Sequence, residues 1–183
     1  MALGTDVGLE RIGRQALKIL ADNLNDELGL VEADWDDEGV PFVLERVPDA
    51  SFHYGHKPSL YTQPPEAYPN IAVMAFQASP DLLSDLPLDH GDLATVSLFV
   101  DVLVKSIVSE DEVNARAART VEAVFRVLTT HRTLDGLVNE ITRMPETDLG
   151  EVEIRSMEKG YGDYWFWQGA QVRFSVQKYV SFS

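Results

Sequence analysis

The residues best typed and spaced for chemistry lie in the run Asp34-Trp35-Asp36-Asp37-Glu38-Gly39, closed by Glu45. Oxygen ligands at positions one, three and five, glycine at six and glutamate at twelve make a calcium loop. This run departs from that pattern. Position five is Glu38 rather than Asp or Asn, Pro41 occupies position eight, and Pro48 stops the exiting helix. An acidic surface turn is the expectation. His53 and His56 stand three apart around Gly55, close enough to share a metal. Catalytic zinc needs a third ligand and a base, and no His-Glu-x-x-His helix occurs. Loop histidines packed on Tyr54 or Tyr61 are the simpler reading. His90, between Asp89 and Gly91-Asp92, has the neighbours of a carboxylate-oriented general base. No Gly-x-Ser-x-Gly elbow supplies its nucleophile. Neither glycine-rich phosphate loop is present, and Gly160-Tyr161-Gly162 reads as a hairpin turn. These residues predict no enzyme, no cofactor and no metal site.

Two features remain, and both suit contact better than catalysis. Arg116, Arg119 and Arg126 fall away from the apolar stripe of a predicted helix, with Glu112 and Glu122 four residues ahead of Arg116 and Arg126. That spacing makes helix ion pairs. The face is either solvated and self-neutralised or an electrostatic docking surface. Tyr161, Tyr164, Trp165, Phe166 and Trp167 crowd the start of the last predicted strand. If Phe166 faces the core, Trp165 and Trp167 face the other way, where they cover a second layer or anchor an interface.

The elements that must position these residues follow from periodicity. Leu9, Ile12, Ala16, Ile19, Leu20, Leu24 and Leu28 form one stripe, which predicts a helix ending near Gly29, with Thr5 or Asp6 as its cap. Residues 30–69 carry six prolines that forbid a continuous element, yet also Trp35, Phe42, Phe52, Tyr54, Tyr61 and Tyr68. Plain linkers are poor in aromatics, so this irregular segment is functional or ordered from outside the domain. Strands are expected at Asn70–Ala78 and Thr95–Lys105. A helix opens at the capping box Ser109-Glu110-Asp111-Glu112, with its core stripe on Val113, Ala117, Val121, Val124 and Leu128. Strands around Val152–Ile154 and Phe166–Val176 close the chain. The expected fold is α+β: a mixed or antiparallel sheet of about four strands, with two helices on one face and a long irregular Pro/aromatic segment.

Composition sets the outer limits. With 183 residues the chain suits a single domain over 1–183. Its net charge of −15 opposes nucleic-acid binding unless the cations gather on one face. The absence of cysteine excludes disulfides, thiol nucleophiles and thiolate metal sites. No run reaches the ~18 apolar residues of a membrane span, and no signal peptide is evident. A soluble, acidic, cytoplasmic protein is expected.

The order of segments is familiar. A leading helix from Leu9-Glu10-Arg11-Ile12 to Leu28 meets Glu32-Ala33-Asp34-Trp35. A proline-rich stretch then ends in Ala67-Tyr68-Pro69-Asn70-Ile71-Ala72-Val73. A valine-rich strand precedes Asn114-Ala115-Arg116-Ala117-Ala118-Arg119, in a helix running on to Val127-Leu128. This pattern resembles the small tail terminator (tail-completion) proteins of long-tailed bacteriophages, of the lambda type. The resemblance implies an α+β protomer that forms a ring, a hexamer, on the last ring of tail-tube subunits. The ring stops tube growth and offers a surface to the head connector or stopper protein. It is assembled in the host bacterial cytoplasm and resides in the virion, with no membrane partner. DNA passes through its lumen without specific binding, and a strongly acidic wall suits that passage. That family has no catalytic residues to carry over. The residues expected at oligomer or partner interfaces are Phe52, Tyr54, Tyr61, Tyr68, Trp165, Trp167, Arg116 and Arg119. Another neck, head–tail adaptor or tail-tube protein is the alternative within the class. Outside it stand a small metal-dependent hydrolase using Asp34, Asp36, His53 and His56, and a monomeric adaptor.

Overall fold

The computed structural model describes residues 8–37, 39, 43–55, 68–80, 92–156 and 164–180. Side chains are described throughout these ranges except at 77–80, 92–93, 142–156, 164–165 and 179–180. In chain order the elements are α1 (Leu9–Asp37), a 3-10 turn (Asp49–Ser51), β1 (Phe52–Tyr54), β2 (Asn70–Pro80), β3 (Asp92–Ser106), α2 (Glu110–Thr130), β4 (Glu140–Ser156) and β5 (Tyr164–Val180).

The strands make one five-stranded mixed sheet in the order β1-β2-β3-β5-β4. β1 runs parallel to β2, and every other pair is antiparallel. Both helices pack on one face of it. Alternation along the strands sends Ile71 and Val73, Val96 to Val104 at every second position, and Ala170, Val172, Phe174 and Val176 into one core with the helices. The fifth strand, β1, comes from inside the proline-rich segment, where three residues are too few to make a period-two signal.

α1 follows the predicted stripe but does not stop at Gly29. Leu28 and Val31 continue the buried face, both with no exposed surface, and the helix runs on to Asp37. An interior glycine costs a helix ~1 kcal/mol relative to alanine. Here it also makes room: a Cβ on Gly29 would lie 3.3 Å from Nη2 of Arg46. That arginine belongs to the stretch that folds back along the helix. Val47 N donates to Asn25 Oδ1 at 2.8 Å, and Asn25 Nδ2 donates to Val47 O at 3.0 Å, so one side-chain amide satisfies a turnless backbone as a strand would. Leu44 and Val47 are buried in the main core. Over 43–55 the irregular segment is therefore ordered by its own domain; residues 56–67 lie outside the described residues.

Gly13 marks the closest approach of α1 to the sheet edge. A Cβ there would come within 2.5 Å of Tyr54 Cε2 and 3.4 Å of the Ala75 amide nitrogen. Gly13→Ala should therefore destabilise the protein by about 1 kcal/mol, because overpacking of ~1–3 kcal/mol exceeds the helix-propensity gain. Urea denaturation of Gly13→Ala, and of the same change combined with Tyr54→Leu, checks this. The second substitution should restore the propensity gain.

α2 begins as its capping box dictates, with Glu112 N donating to Ser109 Oγ at 3.1 Å. The Glu112 carboxylate does not reach back to the cap; it accepts from Arg116 Nη2 at 2.7 Å. The buried face is broader than the predicted stripe, adding Arg119, Thr120, Ala123 and Val127, because α2 lies against both α1 and the sheet. β4 also exceeds its predicted length. Pro145 and Gly150 hide its period, and the register shifts between Arg143 and Glu146 and between Leu149 and Val152 absorb them.

Candidate assembly surface

Asp34–Asp37 of the acidic run form the last turn of α1, not a surface turn, and Glu38 lies outside the described residues. The run's first carboxylate, Asp34, is engaged across the helix pair. Arg126 of α2 donates to Asp34 Oδ2 at 2.7 Å and to Glu122 Oε1 at 2.6 Å, with Glu27 at 3.7 Å. Trp35 Nε1 donates to Glu122 Oε2 at 3.2 Å, and the Arg119 guanidinium lies 4.5 Å over the Trp35 ring. The hydrogen bonds it donates to Asp34 and Glu122 raise the Arg126 pKa above its ordinary value. Glu45, the twelfth position of the calcium pattern, instead pairs with Arg116 at 2.8 Å. Asp34–Asp37 are helical, and Glu38 and residues 40–42 of the calcium pattern lie outside the described residues. An open depression of about 380 Å³ lined by Asp34, Trp35, Asp37, Glu122 and Arg126 lies over this network. Among the described residues, no group of three or more His, Asp or Glu is placed to hold a metal ion.

These pairs also correct the expected arginine face. Arg119 is 5% exposed, sandwiched beneath Trp35, and Arg116 is held between Glu45 and Glu112. The stripe that spacing placed toward solvent is covered by the C-terminal turns of α1 and the strand-like return at 43–47, neither of which helix periodicity could foresee.

His53 sits half-buried on β1, with Asn70 Nδ2 donating to its Nε2 at 3.1 Å. Burial lowers its pKa below the ordinary histidine value. The neutral ring is thus favoured on folding, and the stability it contributes is present above the unfolded pKa of ~6.5 and lost as pH falls from there toward the folded value. Wild type should lose more stability than His53→Gln between pH 7 and pH 5, read from urea midpoints at each pH. His56 and His90 lie outside the described residues.

The second face of the sheet is built differently. Among the described residues no helix covers it. It presents Ala72, Met74 and Phe76 on β2, Phe99, Asp101 and Leu103 on β3, and Trp167, Gln171 and Arg173 on β5, by the strand register. Phe76, unpaired at the register shift between Ala75 and Gln77, is 49% exposed and 5.2 Å from the Phe99 ring. Asp101 is buried, accepting from Gln171 Nε2 at 2.8 Å, while Gln171 Oε1 accepts from Arg173 Nε at 2.6 Å. Alternation along β3 puts Asp101 on the face opposite Val100 and Val102. A charged residue amid Val100, Val102 and Leu103 was the signal that it needs a polar partner on a neighbouring strand.

One end of the sheet brings together Tyr68 and Trp167, two of the aromatic residues singled out in the sequence. Tyr68 and Trp167 meet edge to face with ring centroids 4.6 Å apart, and with Leu103 they form a small buried cluster separate from the main core. Lys105 lies 5.7 Å over the Tyr68 ring. The register carries Trp165 to the same end, opposite Arg155; its side chain, and the whole of Tyr61, lie outside what is described. Ile107 and Val108, in the connection from β3 to α2, are 61% and 68% exposed. Phe52 packs against the main core, and Tyr54 lies under the Arg14 guanidinium at 4.8 Å, its pKa raised by burial and then by Glu10.

The chain matches no protein-family model and no curated protein.

Proposed function

We propose that this protein is a structural subunit of a phage tail, of the tail-terminator type. It forms a ring on the end of the tail tube and presents a surface to the head connector or stopper. The observation supporting this most directly is the second face of the sheet. There Phe76 of β2 is half exposed beside Phe99, although Ala72, Asp101, Leu103 and Trp167 on the same face are buried. An exposed aromatic on a sheet face is apolar surface of the kind that a neighbouring subunit covers. The exposed Ile107 and Val108 beside the Tyr68–Trp167 cluster offer a second contact region at one end. The acidic chain suits a wall past which DNA slides, since it gains no affinity from counterion release.

Sedimentation with purified tail tubes tests the reading. The protein should pellet with tubes in a fixed number of copies per tube end, while duplex DNA at low salt should not shift its sedimentation. Even decoration along the tube would favour a tail-tube protein, and binding to connectors alone a head–tail adaptor.

A further inference from the structure

The outward ridge of α1 carries its charges in blocks. Arg14, Lys18, Asp22 and Asp26 follow one another at four-residue steps, and all four are exposed. Helix stability favours opposite charges at that spacing, with the acid first. Here Arg14 stands with Lys18 and Asp22 with Asp26, and the one opposite pair, Lys18 with Asp22, has the weaker order. Among the described residues Arg14 bonds Glu10 at 2.7 Å, while Lys18, Asp22 and Asp26 form no ion pair. Described residues border the ridge on both sides. α2 does so where Gln15 donates to Asp135 at 3.2 Å and Arg126 approaches Glu27 at 3.7 Å. The stretch 43–54 does so where Asn25 holds Val47 and Tyr54 lies under Arg14.

We infer that two copies of this chain pair on this ridge, antiparallel, about a two-fold axis between Lys18 and Asp22. The contact does not depend on the ring reading. A basic partner would meet Arg14 and Lys18, and an acidic partner Asp22 and Asp26, with repulsion. A surface carrying the same blocks in reverse order satisfies all four, and an antiparallel copy of the ridge has that order. It sets each Lys18 across from Asp22 and each Arg14 across from Asp26, giving four opposite pairs. Rows of four-residue steps are the ridges that helices most often interdigitate when they cross. Ala21, exposed beside the axis, is small enough to let the two backbones come close. One patch meeting its own copy is the isologous contact of two-fold dimers. Neighbours in a closed ring are instead related by rotation about the ring axis, so this pair is a contact of the free protein. α1 packs on the helix side of the sheet, and the pair leaves Phe76 exposed.

The chain has no cysteine, so Ala21→Cys introduces a single thiol beside the axis. The full chain is tested at about 0.1 M salt, where repulsion between two acidic copies is screened beyond ~10 Å. A short bismaleimide should then link the position-21 thiol to its own copy as a covalent dimer. The rate should exceed that of Asp111→Cys, exposed on α2, by about tenfold or more, because proximity sets the effective concentration. Lys18→Glu or Asp22→Lys, added singly, acts at two of the four pairs and should abolish that excess. In sedimentation velocity each should weaken dimerisation by about tenfold or more, with an unchanged melting temperature in dilute protein. Both changes in one chain reverse each pair together and should restore the dimer. A wild type that stays monomeric, a position-21 thiol that reacts no faster than the control, or charge variants that dimerise like wild type would overturn the pairing. Larger species that do not cross-link through position 21 would assign self-association to another surface and overturn it as well.

Discussion

Val31→Asp is expected to leave little folded protein. Val31 lies in the extension of α1 past Gly29, has no exposed surface, and packs in the main core. A carboxylate there has to lose its hydration without a partner, or take up a proton and leave a polar group unsatisfied. Either route costs more than ~4 kcal/mol, a large part of the ~5–15 kcal/mol that holds a domain folded. Far-UV circular dichroism and urea unfolding of the variant measure the effect. The substitution discriminates sharply: a helix that stopped at Gly29 would leave position 31 on a surface connection, where the change would cost under ~0.5 kcal/mol.

Trp167→Ala should destabilise the isolated protomer by about 3 kcal/mol. Trp167 is 8% exposed and packs with Tyr68 and Leu103. Aromatic-to-alanine changes in a core cost ~3–5 kcal/mol. The low end applies because a three-residue cluster away from the main core can partly collapse into the space left. For a chain of this length the melting temperature should fall by roughly 6–12 °C. A thermal melt of dilute protomer, where self-association contributes nothing, reads it directly. An unchanged melting temperature there would mean that the indole is covered only in the assembled state.

How much of this was legible before folding depended on what lay beside each element. α2 was readable from its first residue to its stripe, because Ser109 and Glu112 fix its start locally. β3 was readable because Val96, Leu98, Val100, Val102 and Val104 alternate without interruption. The end of α1 was misplaced because Gly29 is a strong local stop signal, and only the contact with Arg46 explains why glycine is wanted mid-helix. β1 and most of β4 were missed for opposite reasons, one too short for a period and the other broken by bulges at Pro145 and Gly150. At the candidate surface, opposite directions for Phe166 and Trp167 followed from alternation, with Phe166 against the main core and Trp167 in the separate cluster. The burial of Arg119 and Asp101 did not, since each depends on a partner remote in sequence: Trp35 and Gln171.

The most direct measurement of the central claim is the length of tail tubes grown from purified tube protein, scored by electron microscopy with and without this protein added during growth. The account predicts that elongation stops on addition and that each arrested tube carries a single ring at one end. Tubes that continue to lengthen at the same rate, with bare ends, at protein concentrations well above that of the tube ends would contradict it.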